Sequence, residues 1–198
     1  MDTRKTLDRV IKKWDLLKHP FYKSWSDGTL SQEALQLYAS EYGNFIRLIP
    51  DGWSVIGDSA TADEEKEHIE LWDLFAHGLN TSISQPLLEE TSRLIEQSEN
   101  LFTTPAQALG ALYAFEIQQP ATSQSKLEGL RAHYSYPEVC EKYFEAHADN
   151  WGESTRLVQA ITELDLPDQA LAVEACEKTS IALWKALSGI HSKTGKMM

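Results

Sequence analysis

Three separate segments of the sequence put a carboxylate or an imidazole where an amphipathic helix should be apolar. In TTPAQALGALYAFEIQQP, Leu109, Leu112, Tyr113 and Glu116 follow the i, i+3, i+4, i+7 spacing, which sets the Glu116 carboxylate in line with the apolar stripe. In EEKEHIELWDLFAHGL, Glu65, His68, Trp72, Phe75 and Leu79 share one face, and Glu70 and His77 lie on the other. In YPEVCEKYFEAHADNWGESTRLVQAI, the residues Cys140, Phe144, His147, Trp151, Ser154, Val158 and Ile161 alternate at spacings of four and three. That pattern predicts one continuous seam with His147 at its middle. A charged or imidazole group in a buried stripe is desolvated and needs a partner, and a metal ion is such a partner. The competing readings are a Glu116 carboxyl bonded to a neighbouring Tyr or Trp, and core histidines at 68 and 147 donating to backbone carbonyls.

Helical punctuation accounts for the elements that must hold these groups. A first stripe of Leu7, Val10, Ile11, Trp14 and Leu17 ends near His19-Pro20. Ser31 is placed to cap a helix carrying Leu35, Tyr38, Tyr42, Phe45 and Ile49, which Pro50 stops. A short helix from Gly52 to about Asp58 follows, with Thr61 or Asp63 capping the helix of Glu65 and His68. Another helix starts near Ser84-Pro86, Thr104-Pro105 opens the Glu116 helix, and Pro120 closes it. Residues 123–131 read as helical, Tyr136-Pro137 starts the long His147 helix, and Leu166-Pro167-Asp168 separates it from a last one. Tyr38, Tyr42 and Phe45 read as core packing, and Lys126, in a polar stretch, as a solvated lysine. There is no alternating β pattern, no fixed-period repeat, and neither a GxGxxG nor a Walker loop. The expected fold is an all-α bundle of seven or eight helices.

Length and charge narrow the function classes. The 198 residues fit a single domain spanning 1–198. A formal charge of −12 opposes binding to phosphate backbones, so no nucleic-acid partner is expected. Two cysteines, Cys140 and Cys176, suit a reducing cytoplasm better than a disulfide framework. No run of about 18 apolar residues and no signal-type segment occurs, so no membrane partner is expected. A homodimer is compatible with the sequence, which does not specify an oligomeric state.

HPFYKSWSDGTL, HIELWDLFAHGL, LYAFEIQQPATSQSKLEGLRAHY and YFEAH, in this order, resemble the haem-oxygenase-like superfamily (TenA, PqqC and CADD-like proteins), and the CADD-like iron-containing oxidases most. The resemblance runs from about Leu7 to Ile190. It implies a helical bundle around a central cavity and, in iron-dependent members, a non-haem di-iron site of Glu and His that activates dioxygen. The matching positions are Glu65 or Glu64 with His68, then Glu116, then His147. Two further ligands expected on the last helix, an acidic residue and a second His, fall on Trp151 and Ser154, which are not ordinary iron ligands. Asp149 and Glu153 are close in sequence, but an uninterrupted helix points them roughly 100° or more away from His147.

The resemblance also bears on catalysis. CADD-like members make 4-aminobenzoate from one of their own tyrosines, with a lysine as nitrogen source, and Tyr22 and Lys126 match those two places. Phe115 stands where another tyrosine of the family is expected, and Cys140 and Cys176 lie in segments unlike the TenA cysteine motif. The expectation is an oxidase using Fe(II), one or two ions, with O₂ as co-substrate and a small, aromatic or amine-bearing molecule as substrate. Glu65, His68, Glu116 and His147 would be the metal ligands, and Tyr22 and Lys126 the catalytic residues. The alternatives are a metal-independent PqqC-like oxidase, and a non-catalytic relative that binds a ligand or partner with Trp151 filling the cavity.

Overall fold

In a computed structural model the chain is described over residues 2–195; Met1 and residues 196–198 of the 1–198 reading lie outside the described residues. Eleven α-helical segments follow one another: α1 (Thr3–Lys13), α2 (Pro20–Ser26), α3 (Gln32–Ile46), α4 (Ile49–Val55), α5 (Ser59–Gly78), α6 (Glu89–Leu101), α7 (Pro105–Glu116), α8 (Gln119–His133), α9 (Lys142–His147), α10 (Gly152–Glu163) and α11 (Leu166–Gly195). Eight of them run eleven residues or more and make the bundle that the periodicity predicts. The short α2, α4 and α9 are the pieces left where longer helices are broken.

The helix starts explain most of the shifted boundaries. Ser31 caps α3, its hydroxyl accepting the Ala34 N–H at 3.2 Å. Asp58, rather than Thr61 or Asp63, caps α5 by accepting the Thr61 N–H at 3.1 Å. Pro50 and Pro120 lie in the first turns of α4 and α8, so they open helices rather than close them, because a first-turn N–H needs no partner within the helix. The helix after Ser84-Pro86 begins only at Glu89, where the buried Glu41 carboxylate accepts the N–H groups of Leu87 at 2.8 Å and Leu88 at 3.3 Å.

α7 is buried on nearly every side and packs against the long α11. Gly110 permits that approach, since a Cβ there would collide with the Ala172 carbonyl. Around this pair Trp25, Trp53, Trp72, Tyr38, Tyr143, Phe75 and Phe144 fill the interior.

One departure matters for function. The long His147 helix is not continuous: a 3₁₀ turn over Glu138–Glu141 precedes α9, α9 ends at His147, and α10 restarts at Gly152. Ala148-Asp149-Asn150-Trp151 joins them, with Asn150 N–H bonded to the His147 carbonyl and the Thr155 N–H to that of Trp151. Asp, Asn and Gly in close succession are weak helix formers that favour turns. Trp151 is therefore thrown outward, 49% exposed, and the residues after it rotate relative to His147.

Candidate metal centre

α5, α7 and α9 bring the four expected ligands together in the interior. Glu65, Glu116 and His147 are almost wholly inaccessible to solvent, and His68 is nearly so. The Glu65 Oε1 and His68 Nδ1 are 3.0 Å apart, the short span expected one helical turn along α5. The His68 and His147 rings lie 4.4 Å apart, centre to centre. His147 Nδ1 contacts the Tyr143 carbonyl at 2.6 Å, so the proton belongs on Nδ1 and the Nε2 lone pair is free. That Nε2, Glu65 Oε2 and Glu116 Oε1 are buried without a hydrogen-bond partner among the described residues.

The donor atoms form two groups. One atom each of Glu65, His68 and His147 lie within 4.8 Å of one another, and so do atoms of Glu65, Glu116 and Glu153. Glu65 is common to both. Glu153 is the residue that sequence reasoning excluded. The break at 148–151 turns it inward at the first turn of α10, where it is only 3% exposed. Ser154 is also buried, but its hydroxyl is engaged by the Trp151 carbonyl at 3.3 Å. The Asp-Asn-x-Gly composition of the break is the signal that could have located it.

The electrostatics are those of a site waiting for positive charge. Burial, then the charges of Glu65 and Glu153, push the Glu116 carboxyl well above its ordinary range. Burial and Glu65 raise Glu153 likewise. Burial and neighbouring His68 pull His147 down to about 3, keeping it neutral. Burial opposes a charge on His68, but its hydrogen bond to Glu65 and the carboxylates around it prevail and raise it. Three carboxylates this close, out of water, cannot all be ionised unless cations join them. With imidazole and carboxylate donors of this kind, the residues fit a divalent transition metal such as iron.

Tyr22 and Lys126 make a second buried cluster. Lys126 is 3% exposed, not solvated, because α8 turns its stem toward Phe144 and the α2 and α3 aromatics. Its Nζ donates to the Tyr38 hydroxyl at 3.2 Å and lies 4.8 Å from the Tyr22 ring centre, while the Tyr22 and Tyr38 hydroxyls are 3.1 Å apart. Burial lowers its ammonium to about 7. The aromatic stripe packs in the core and runs on to the imidazole: Tyr38 stacks on Tyr42 at 5.1 Å, Tyr42 contacts Trp72, Trp72 meets Tyr143 at 4.7 Å, and Tyr143 lies against the His147 ring at 4.2 Å. Phe115 packs on Phe45. The Cys140 and Cys176 thiols are pushed up to about 11 and about 12 by burial, which makes neither a nucleophile.

An all-α bundle with a buried carboxylate and imidazole centre defines a class, and comparison with known proteins identifies the family. The chain belongs to the TENA/THI-4/PQQC family, whose sequence model matches residues 7–183. It is 31% identical to a 4-aminobenzoate synthase of Nitrosomonas europaea, covering 95% of this chain and 90% of that one. It is 29% identical to a 4-aminobenzoate synthase of Chlamydia pneumoniae, covering 95% and 94%. A domain with a heme oxygenase-like fold from Shewanella denitrificans superposes with a TM-score of 0.83 at 17% identity, covering 100% and 95%. Among the described residues no helix is long and apolar enough to cross a membrane.

Proposed function

We propose that this chain is a non-haem iron, O₂-dependent oxidase that forms 4-aminobenzoate, taking the ring from Tyr22 and the nitrogen from Lys126. The observation that carries the reading is the lysine amine held against a tyrosine ring in the same interior that gathers Glu65, His68, Glu116 and His147. The curated relatives named 4-aminobenzoate synthase, similar over nearly the whole chain, support it. Glu65, His68, Glu116 and His147 would hold the iron, which when bound would supply the activation of dioxygen.

The chain's own residues supply the rest. Burial lowers the Lys126 ammonium to about 7, so near neutral pH a large fraction is free amine, the form that can bond to the ring carbon bearing the Tyr22 oxygen as that oxygen leaves as water. Release of the product then needs cleavage of the lysine Nζ–Cε bond and of the tyrosine Cα–Cβ bond, Cβ being oxidised to the carboxylate with O₂ as the oxidant and the added reductant supplying the remaining electrons. Tyr38 bonds both the Tyr22 hydroxyl and the Lys126 nitrogen and fixes their mutual approach. The Phe144 ring, its centre 5.2 Å from the Lys126 nitrogen, helps to exclude water. The protein itself provides the aromatic, amine-bearing substrate, and the small molecules it meets are O₂ and its product.

The test is product analysis of chain carrying ring-labelled tyrosine and nitrogen-labelled lysine, loaded with Fe(II) without air and then exposed to O₂ and a reductant. The expected product is 4-aminobenzoate bearing both labels, in no greater amount than the chains present, and absent from Tyr22→Phe and Lys126→Arg. Iron-loaded wild type that yields none contradicts the proposal. A metal-free oxidase is the second reading, favoured by the raised carboxyls of Glu116 and Glu153, which can share the interior as neutral acids. It requires full activity in a strong chelator.

A further inference from the structure

We infer that Glu153 is a metal ligand, completing a second ion position with Glu65 and Glu116, and that Asn150 is its positioning residue. The inference rests on the iron reading above and deepens it. The positions where the resemblance calls for further ligands hold Trp151, which faces solvent, and Ser154, whose hydroxyl is turned to a backbone carbonyl. Neither reaches a metal. The interrupted helix offers in their place a different residue of the same turn, Glu153.

Three observations converge on Glu153. Its carboxylate belongs to the group with Glu65 and Glu116 whose oxygens all lie within 4.8 Å. Glu65 Oε2 and Glu116 Oε1, on two of these three carboxylates, are deeply buried with no partner among the described residues. Asn150 Nδ2 donates to Glu153 Oε1 at 2.8 Å, leaving the other carboxylate oxygen for the cluster, the outer hydrogen bond that fixes a ligating group. Farther out, Arg156 donates to the Thr61 hydroxyl at 2.9 Å, which ties the start of α10 to the start of α5.

The two positions then differ in chemistry. The first would be held by Glu65, His68 and His147; the second would be all carboxylate, with Glu65 common to both.

Anaerobic loading with Fe(II), removal of excess and metal counting test the inference, with circular dichroism of the metal-free variants confirming that they fold. Wild type should hold about two ions per chain, Glu153→Gln about one, and Asn150→Ala should bind the second ion about tenfold more weakly. Equal iron in Glu153→Gln and wild type overturns the ligand role, as does a wild type that holds only one ion. Unchanged second-ion affinity in Asn150→Ala overturns the positioning role. Absence of tight iron from wild type overturns this inference and the iron oxidase reading together, so the two failures are told apart.

Discussion

The Nζ of Lys126 lies 4.8 Å from the centre of the Tyr22 ring, and a single hydroxyl, that of Tyr38, is hydrogen-bonded to both residues. A buried lysine with aromatic rings for walls and no carboxylate among its hydrogen-bond partners is expensive as an ammonium, and the fold keeps it poised near neutrality instead.

That poise gives a signed stability prediction. Below about pH 7 Lys126 is protonated in both folded and unfolded chains, and the burial cost is carried in full. As pH rises from about 7 toward 10.5 the folded chain has released its proton and the unfolded chain has not, so stability climbs. The contribution is at most about 1.4 kcal/mol per pH unit. Urea denaturation across this range should show the rise in wild type and its loss in Lys126→Met. Parallel curves for the two proteins would contradict a buried, titrating amine.

Glu116 should show the opposite of an ordinary core residue. Its folded carboxyl titrates above its unfolded value, so in the metal-free chain stability falls as pH rises above the unfolded value of about 4.5. Glu116→Gln removes that fall. At neutral pH the metal-free variant should be more stable than wild type by about 1 kcal/mol or more, while losing stabilisation by iron. Chemical denaturation with and without Fe(II) checks both halves.

Metal binding to the folded chain alone should raise its melting temperature. With free Fe(II) at about a hundred times Kd the gain is about 2.7 kcal/mol. For a chain of this size that is a shift of about 5–10 °C. Anaerobic thermal scans should show it, a chelator should reverse it, and His147→Ala should reduce it sharply.

The α7 and α11 contact has no room for a methyl group at Gly110, because the Ala172 backbone is already there. Gly110→Ala should cost about 3 kcal/mol through overpacking, despite the better helix propensity of alanine. Thermal or urea denaturation measures it.

The gathering of Glu65, His68, Glu116 and His147 in the interior is readable in the sequence because each sits in an otherwise apolar helical stripe. Helical periodicity assumes that a helix continues, and this is why it turns Glu153 away from the site. The chain breaks at Asp149-Asn150, and the break reverses which of Trp151 and Glu153 faces inward. Lys126 was misplaced for a related reason. Local composition gives SQSKLEG a solvated look, but Ser123, Lys126 and Leu127 turn together into the core, held where the Trp25 Nε1 donates to the Lys126 carbonyl at 3.1 Å. Prolines 50 and 120 look like stops in the sequence although each opens the next helix, an ambiguity that sequence alone leaves standing when two helices abut. The resemblance supplied what periodicity lacked, pairing Tyr22 with Lys126 across about a hundred residues of sequence.

Glu65 belongs to both donor groups, so the most direct test of the account is iron per chain in Glu65→Gln beside wild type, after anaerobic loading and removal of excess. Tight iron in wild type and none in the variant is the result this account predicts. Iron retained in Glu65→Gln at the wild-type amount would contradict it, since no buried centre organised around that carboxylate could survive its loss.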